Sequence, residues 1–151
     1  MAQLTKRFLI LACALCALPL TMSANDNPRK SPAELDQYQW KNRLLIVFAE
    51  NPGENEAYRA FDKQLREEAK GIAERHLRVF RVHADLSASL DGDALSREDA
   101  IALIRGFDFG AKPLQVLLIG KDGGTKSNTP EPEIKDIFRQ IDAMPMRQRE
   151  M

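Results

Sequence analysis

Leu44-Leu45-Ile46-Val47-Phe48-Ala49 is an unbroken apolar run, bounded by Arg43 before it and Asn51-Pro52-Gly53 after it. A short continuous run closed by turn residues is the pattern of a strand buried on both faces. The period then changes. Tyr58, Phe61, Leu65, Ala69 and Ile72 recur at steps of three and four, with charges between them, so a helix is expected over about 54–76. Gly71 weakens that helix by roughly 1 kcal/mol relative to Ala, which favours an early end. Leu77 to His83, with Val79, Phe80 and Val82, reads as a second strand, and Asp85 to Asp93 as a loop.

Ser96 followed by Asp99 has the spacing of a helix capping box ahead of Ala100, Ile101, Leu103 and Ile104. Pro113 leads a third strand, Leu114 to Ile119. Gly120-Lys121-Asp122-Gly123-Gly124 is a hairpin turn, because Asp-Gly supplies the positive φ such turns require. Thr125 and Lys126 begin a short fourth strand. Thr129-Pro130-Glu131-Pro132 announces a last helix with the apolar stripe Ile134, Ile137, Phe138, Ile141 and Met144, ended by Pro145. The order is β-α-β-α-β-β-α. Strands that flank a crossover helix run parallel with right-handed connection, and the hairpin adds antiparallel strands, so a central mixed sheet follows. This α/β order is the thioredoxin-like arrangement.

The N-terminus changes what that fold can do. Lys6 and Arg7 precede an apolar stretch from Phe8 to Leu20, followed by small and polar residues at Thr21, Ser23 and Ala24. That is the layout of a secretory signal peptide, with cleavage expected near Ser23 or Ala24. The stretch is shorter than the roughly 20 residues a membrane span needs. A lipidated Cys13 is the rival reading, on Ile10-Leu11-Ala12 before it. The expected division is a signal over 1–24, a mobile polar leader over 25–37 and one domain over 38–151, periplasmic or secreted. The two cysteines, Cys13 and Cys16, form a C-x-x-C inside the signal. Its removal leaves no thiol. The chain has 22 Lys+Arg and 22 Asp+Glu. Loss of Lys6 and Arg7 leaves a slight acidic excess, which argues against nucleic acid and against an anionic membrane surface.

Several blocks carry a resemblance: Trp40 with Arg43 to Phe48, Glu74-Arg75, Leu118 to Lys126, and Ile141 to Met151. Over roughly Leu35 to Met151 the chain resembles the DUF4174 family. That family occurs in small exported bacterial proteins and in animal extracellular-matrix proteins with sushi repeats or coiled coils, where the domains are regarded as peroxiredoxin-like. The resemblance implies a thioredoxin-like fold and export, and no settled activity.

Thioredoxin-type chemistry needs a low-pKa thiolate at the N-terminus of the helix after the first strand. Here that place is Glu50-Asn51-Pro52-Gly53-Glu54-Asn55, with no Cys, Ser or Thr, and its acids would repel an anion. Lys121, Asp122 and Lys126 could form a recognition knob, or merely build the turn and keep an edge soluble. Arg147 and Arg149 sit at a small basic end, suited to the carboxylates of a partner or simply solvated. Met144, Met146 and Met151 are thioethers, which select Cu(I) and also fill gaps in cores. His76 and His83 lack a zinc spacing. His83 near Asp85 could orient a base, without a visible nucleophile. Asp85, Asp91, Gly92 and Asp93 lack the alternating ligands of a calcium loop. The expected function is a non-catalytic, exported binding or adaptor domain. It needs no cofactor, and its partner is an envelope or extracellular protein. The alternatives are a peroxiredoxin-like or redox-assisting protein and a Met-based copper-handling protein.

Overall fold

The computed structural model describes residues 33–109 and 112–151. The expected signal with Cys13 and Cys16, and the leader up to residue 32, lie outside the described residues. The described residues form a mixed α/β fold. Its strands are β1 (Arg43–Ala49), β2 (Leu77–His83), β3 (Ala88–Leu90), β4 (Asp93–Ala94), β5 (Leu114–Ile119) and β6 (Thr125–Thr129). They make one sheet in the order β4-β3-β2-β1-β5-β6. β1 and β2 are parallel, with Arg43 opposite Leu77 and Ala49 opposite His83. The other pairings are antiparallel. The helices are α1 (Glu56–Glu67), α2 (Ala69–Glu74), α3 (Arg97–Gly106), α4 (Ile134–Asp142) and α5 (Pro145–Gln148), after a 3-10 turn at Leu35–Tyr38.

The unbroken apolar run of β1 is explained by two cores. Leu45, Val47 and Ala49 face Tyr58, Phe61 and Leu65 of α1 and Ile134, Ile137, Phe138 and Ile141 of α4. Leu44, Ile46 and Phe48 face the opposite layer, with Ala100 and Leu103 of α3. Each fully buried side chain of this kind contributes roughly 1.5–3 kcal/mol, so the central strands are the most strongly specified part of the molecule.

Five local expectations change. The first long helix breaks at Glu68 and resumes as α2, and Gly71 lies within α2. A Cβ at Gly71 would come within 2.6 Å of Phe138, so this glycine lets α2 approach α4. The 85–93 loop contains β3 and the start of the β3–β4 hairpin. Its Asp91 and Gly92 both have positive φ, at 52° and 103°, as a type I′ turn requires. β6 extends to Thr129, so α4 starts only at Ile134, and Pro145 opens α5 at a position where its missing N–H costs nothing. Finally, packing begins before Trp40: Leu35, placed in the expected leader, and Tyr38, the first residue of the expected domain, lie against the α3-side core.

Candidate functional site: an arginine-lined groove at one end of the sheet

Arg43 is the first residue of β1, and its side chain is on the same face as Leu45. That places a guanidinium under the α4–α5 junction, where it is only 1% exposed. Its Nη1 donates to the Arg75 carbonyl at 2.9 Å and to Glu150 Oε2 at 3.1 Å. Its Nε and Nη2 are buried and meet no acceptor among the described residues.

Arg75, just past α2, uses the same two nitrogens differently. Nε donates to Asp142 Oδ1 at 3.0 Å and Nη2 to Asp142 Oδ2 at 2.6 Å. Its guanidinium also lies 4.1 Å from the centre of the Phe138 ring. Arg147 donates from Nε to Asp142 Oδ1 at 3.3 Å and from Nη1 to the Glu74 carbonyl at 2.8 Å. Lys121 is 8% exposed, and its ammonium donates to Glu150 Oε1 at 2.6 Å and to His76 Nδ1 at 2.9 Å. An ammonium can only donate, so His76 Nδ1 accepts and a neutral ring carries its proton on Nε2.

Four cations thus surround two carboxylates. Hydrogen bonds from Arg75, opposed by partial burial and reinforced by Arg147, hold the Asp142 carboxyl below its usual range. Burial pushes Glu150 upward, but hydrogen bonds from Lys121 and Arg43 and their charges outweigh it, and the net direction is down.

Beside this network lies a groove of about 480 Å³, lined by Arg43, Lys121, Lys126, Gln140, Met144 and Met146 among others. The structure therefore brings together most of the residues singled out from the sequence. Asp122 and Lys126 stand exposed on the hairpin, paired at 2.6 Å. Asp122 is held below the usual carboxylate range by that lysine and by the Gly124 N–H. Lys121 and Arg147 are instead enclosed as ties between segments, while Arg149 is exposed. Met144 rests against the core and Met146 lines the groove, whereas Met151 is 76% exposed and does not line it. Next to the hairpin, Trp40 is 63% exposed at φ 63°, its N–H donating to the Lys121 carbonyl at 2.6 Å.

Sequence reasoning misses Arg43, Arg75, Asp142 and Glu150, and weighs His76 only as a zinc ligand. Four of these stand in the blocks that carried the family resemblance. Those blocks are far apart in the chain, and all of them converge at this end of the sheet.

The opposite end holds Glu50, Asn51, Glu54, Asn55 and Pro113 around a cavity of about 350 Å³. Asn55 caps α1, accepting the Tyr58 N–H at 2.9 Å, and donates to the Pro113 carbonyl at 3.1 Å. Nearby, His83 lies 3.0 Å from the Tyr58 hydroxyl and 2.8 Å from Ser87 Oγ, which donates to Asp85 at 2.6 Å. Burial lowers the His83 pKa, with the Asp85 charge opposing it. Among the described residues, no group of three or more His, Cys, Asp or Glu could hold a metal ion, and no helix is long and apolar enough to cross a membrane.

Residues 34–150 match the domain of unknown function DUF4174, and the chain belongs to that family. A curated relative is the zebrafish (Danio rerio) coiled-coil domain-containing protein 80, 28% identical over 149 residues. The match covers 87% of this chain, which spans only 17% of that relative's length. No solved structure matches the chain.

Proposed function

We propose that this chain is an exported, non-catalytic binding module on a thioredoxin-like scaffold, and that it recognises an envelope or extracellular protein with the groove end of its sheet. The strand order β2-β1-β5-β6, with α1 and α4 on one face and α3 on the other, supports the thioredoxin-like reading. The β3–β4 hairpin is an addition at the β2 edge. The observation that carries the functional reading is the convergence of Arg43, Arg75, Lys121, Asp142, Arg147 and Glu150 into one network at the end where Trp40, Asp122, Lys126 and Arg149 are accessible. An exposed tryptophan beside a polar rim is the composition of an interaction hot spot. Its left-handed backbone is a conformation retained where the surroundings enforce it.

At the other end, where a thioredoxin-type enzyme keeps its thiol, Asn55 caps α1 and residues 50–55 carry no Cys, Ser or Thr. The redox-assisting alternative would therefore need a group borrowed from elsewhere. The copper alternative draws on Met144 and Met146 in the groove.

The test uses exposed positions, because Lys121 and Arg147 hold the fold. Trp40→Ala and Lys126→Glu are expected to abolish recovery of the envelope partner that wild type captures, with unchanged circular dichroism. Glu50→Gln with Glu54→Gln should leave recovery intact. The reverse pattern would place recognition at the corner and end this reading.

A further inference from the structure

We propose that the groove binds a monoanionic carboxylate on a slim apolar body, received by the Nε and Nη2 of Arg43. This rests on reading the groove end as the binding surface. A guanidinium presents Nε–H and one Nη2–H in parallel, a fork that matches the two oxygens of a carboxylate. The molecule itself shows the match: Arg75 holds Asp142 through that edge, at 3.0 and 2.6 Å. Arg43 offers the same edge, buried, without an acceptor among the described residues, in a residue that lines the groove. Burying such donors unpaired is unfavourable, and more so for a charged group, so an acceptor is favoured there.

Three further features select the ligand. The surrounding cations outnumber the carboxylates, so an anion is favoured. Glu150 and Asp122 stand close by, so a singly charged ligand is repelled less than a dianion such as phosphate. The rest of the lining includes Ala143, Met144, Pro145 and Met146, which suits an apolar body. Each nitrogen of the fork has under 1 Å² of exposure, so entry requires a side chain to turn aside. Met144 and Met146, unbranched and half-buried, are the adaptable ones. The carboxylate could belong to a free acid or to the C-terminus of a peptide.

The experiment follows the arginine Nε–H resonances of the purified, isotope-labelled chain, with Arg43 assigned by its loss in Arg43→Lys. Sodium hexanoate, or a short acetylated apolar peptide with a free C-terminus, is expected to shift the Arg43 resonance saturably. Which of the two binds more tightly identifies the source. Hexan-1-ol and the amidated peptide should leave it in place, and Arg75, already held by Asp142, should stay put throughout. Glu150→Gln leaves the Nε–Nη2 edge as it is but removes a negative charge beside it, and should tighten binding about tenfold. An Arg43 resonance unmoved by both carboxylates, or moved equally by hexan-1-ol or by inorganic phosphate, would overturn the assignment. If it stays unmoved while Trp40→Ala still abolishes partner recovery, the ligand class is wrong and the binding end stands. If the resonance moves but Trp40→Ala changes nothing, the protein-recognition reading fails instead.

Discussion

The two ends of the central sheet are built from opposite materials. At the corner after β1, Glu50 and Glu54 sit in water, while the half-buried Asn55 caps α1, reaches the Pro113 carbonyl and lines a small hollow with them. At the other end, Arg43, Arg75, Lys121 and Arg147 gather two carboxylates from α4 and the segment after α5 and are themselves largely withdrawn from water. A corner of caps can change with little consequence. A partly buried ionic lattice cannot, because removing one partner leaves the other charged, enclosed and unpaired. The buried ionic ties are therefore concentrated at the groove end and not at the corner after β1.

That contrast can be broken most severely at Arg43. Arg43→Ala removes the tie between β1, Arg75 and Glu150, and urea denaturation should show a loss of about 3 kcal/mol. Gly71→Ala comes next. Helix propensity alone predicts a gain of about 1 kcal/mol, but the new Cβ would meet Phe138 at 2.6 Å. A net loss of about 1–2 kcal/mol is expected from this overpacking, and a gain would show that α2 is free to move. At the corner, Asn55→Ala should cost about 1 kcal/mol, the ordinary price of a helix cap. Glu50→Gln and Glu54→Gln should change the unfolding free energy by no more than surface substitutions do, about 0.5 kcal/mol or less.

The smallest effect is the pH dependence carried by His83. Burial lowers its pKa from the ordinary 6.5, so the unfolded chain takes up the proton first. Its contribution is complete above pH 6.5 and is lost as pH falls through the folded value. His83→Gln should flatten the thermal stability profile in that window. Asp142 and Glu150 act lower: their depressed pKa values contribute above the ordinary carboxylate range and are lost on further acidification. The His83 substitution should leave that lower step in place.

Most of the sheet was legible because burial on two faces leaves an apolar run that needs no partner to be recognised. β1, β2 and β5 fall where their sequences place them. The same turn signal was read once and missed once. Asp122-Gly123 was flanked by a clear strand, whereas Asp91-Gly92 connects strands of only three and two residues, too short to show alternation. Pro145 read as a stop, since proline does end helices, yet it equally begins one, and here it opens α5.

The groove was the least legible part. Arg43 looked like the polar boundary of a strand and is 1% exposed, because its partners Arg75 and Glu150 lie 32 and 107 residues away. Nothing periodic links such positions. Lys121 and Arg147 were picked out for their charge, but their enclosure depends on Glu150 and Asp142, which only the fold brings to them.

The most direct test is to place an aromatic photo-crosslinking side chain, which keeps a ring at position 40, at positions 40 and 149, and separately at 51 and 54, and to compare the adducts formed in intact cells. A discrete partner adduct from 40 and 149, lost on Lys126→Glu, and none from 51 or 54, is the predicted result. Adducts formed from 51 and 54 but not from 40 or 149 would contradict it.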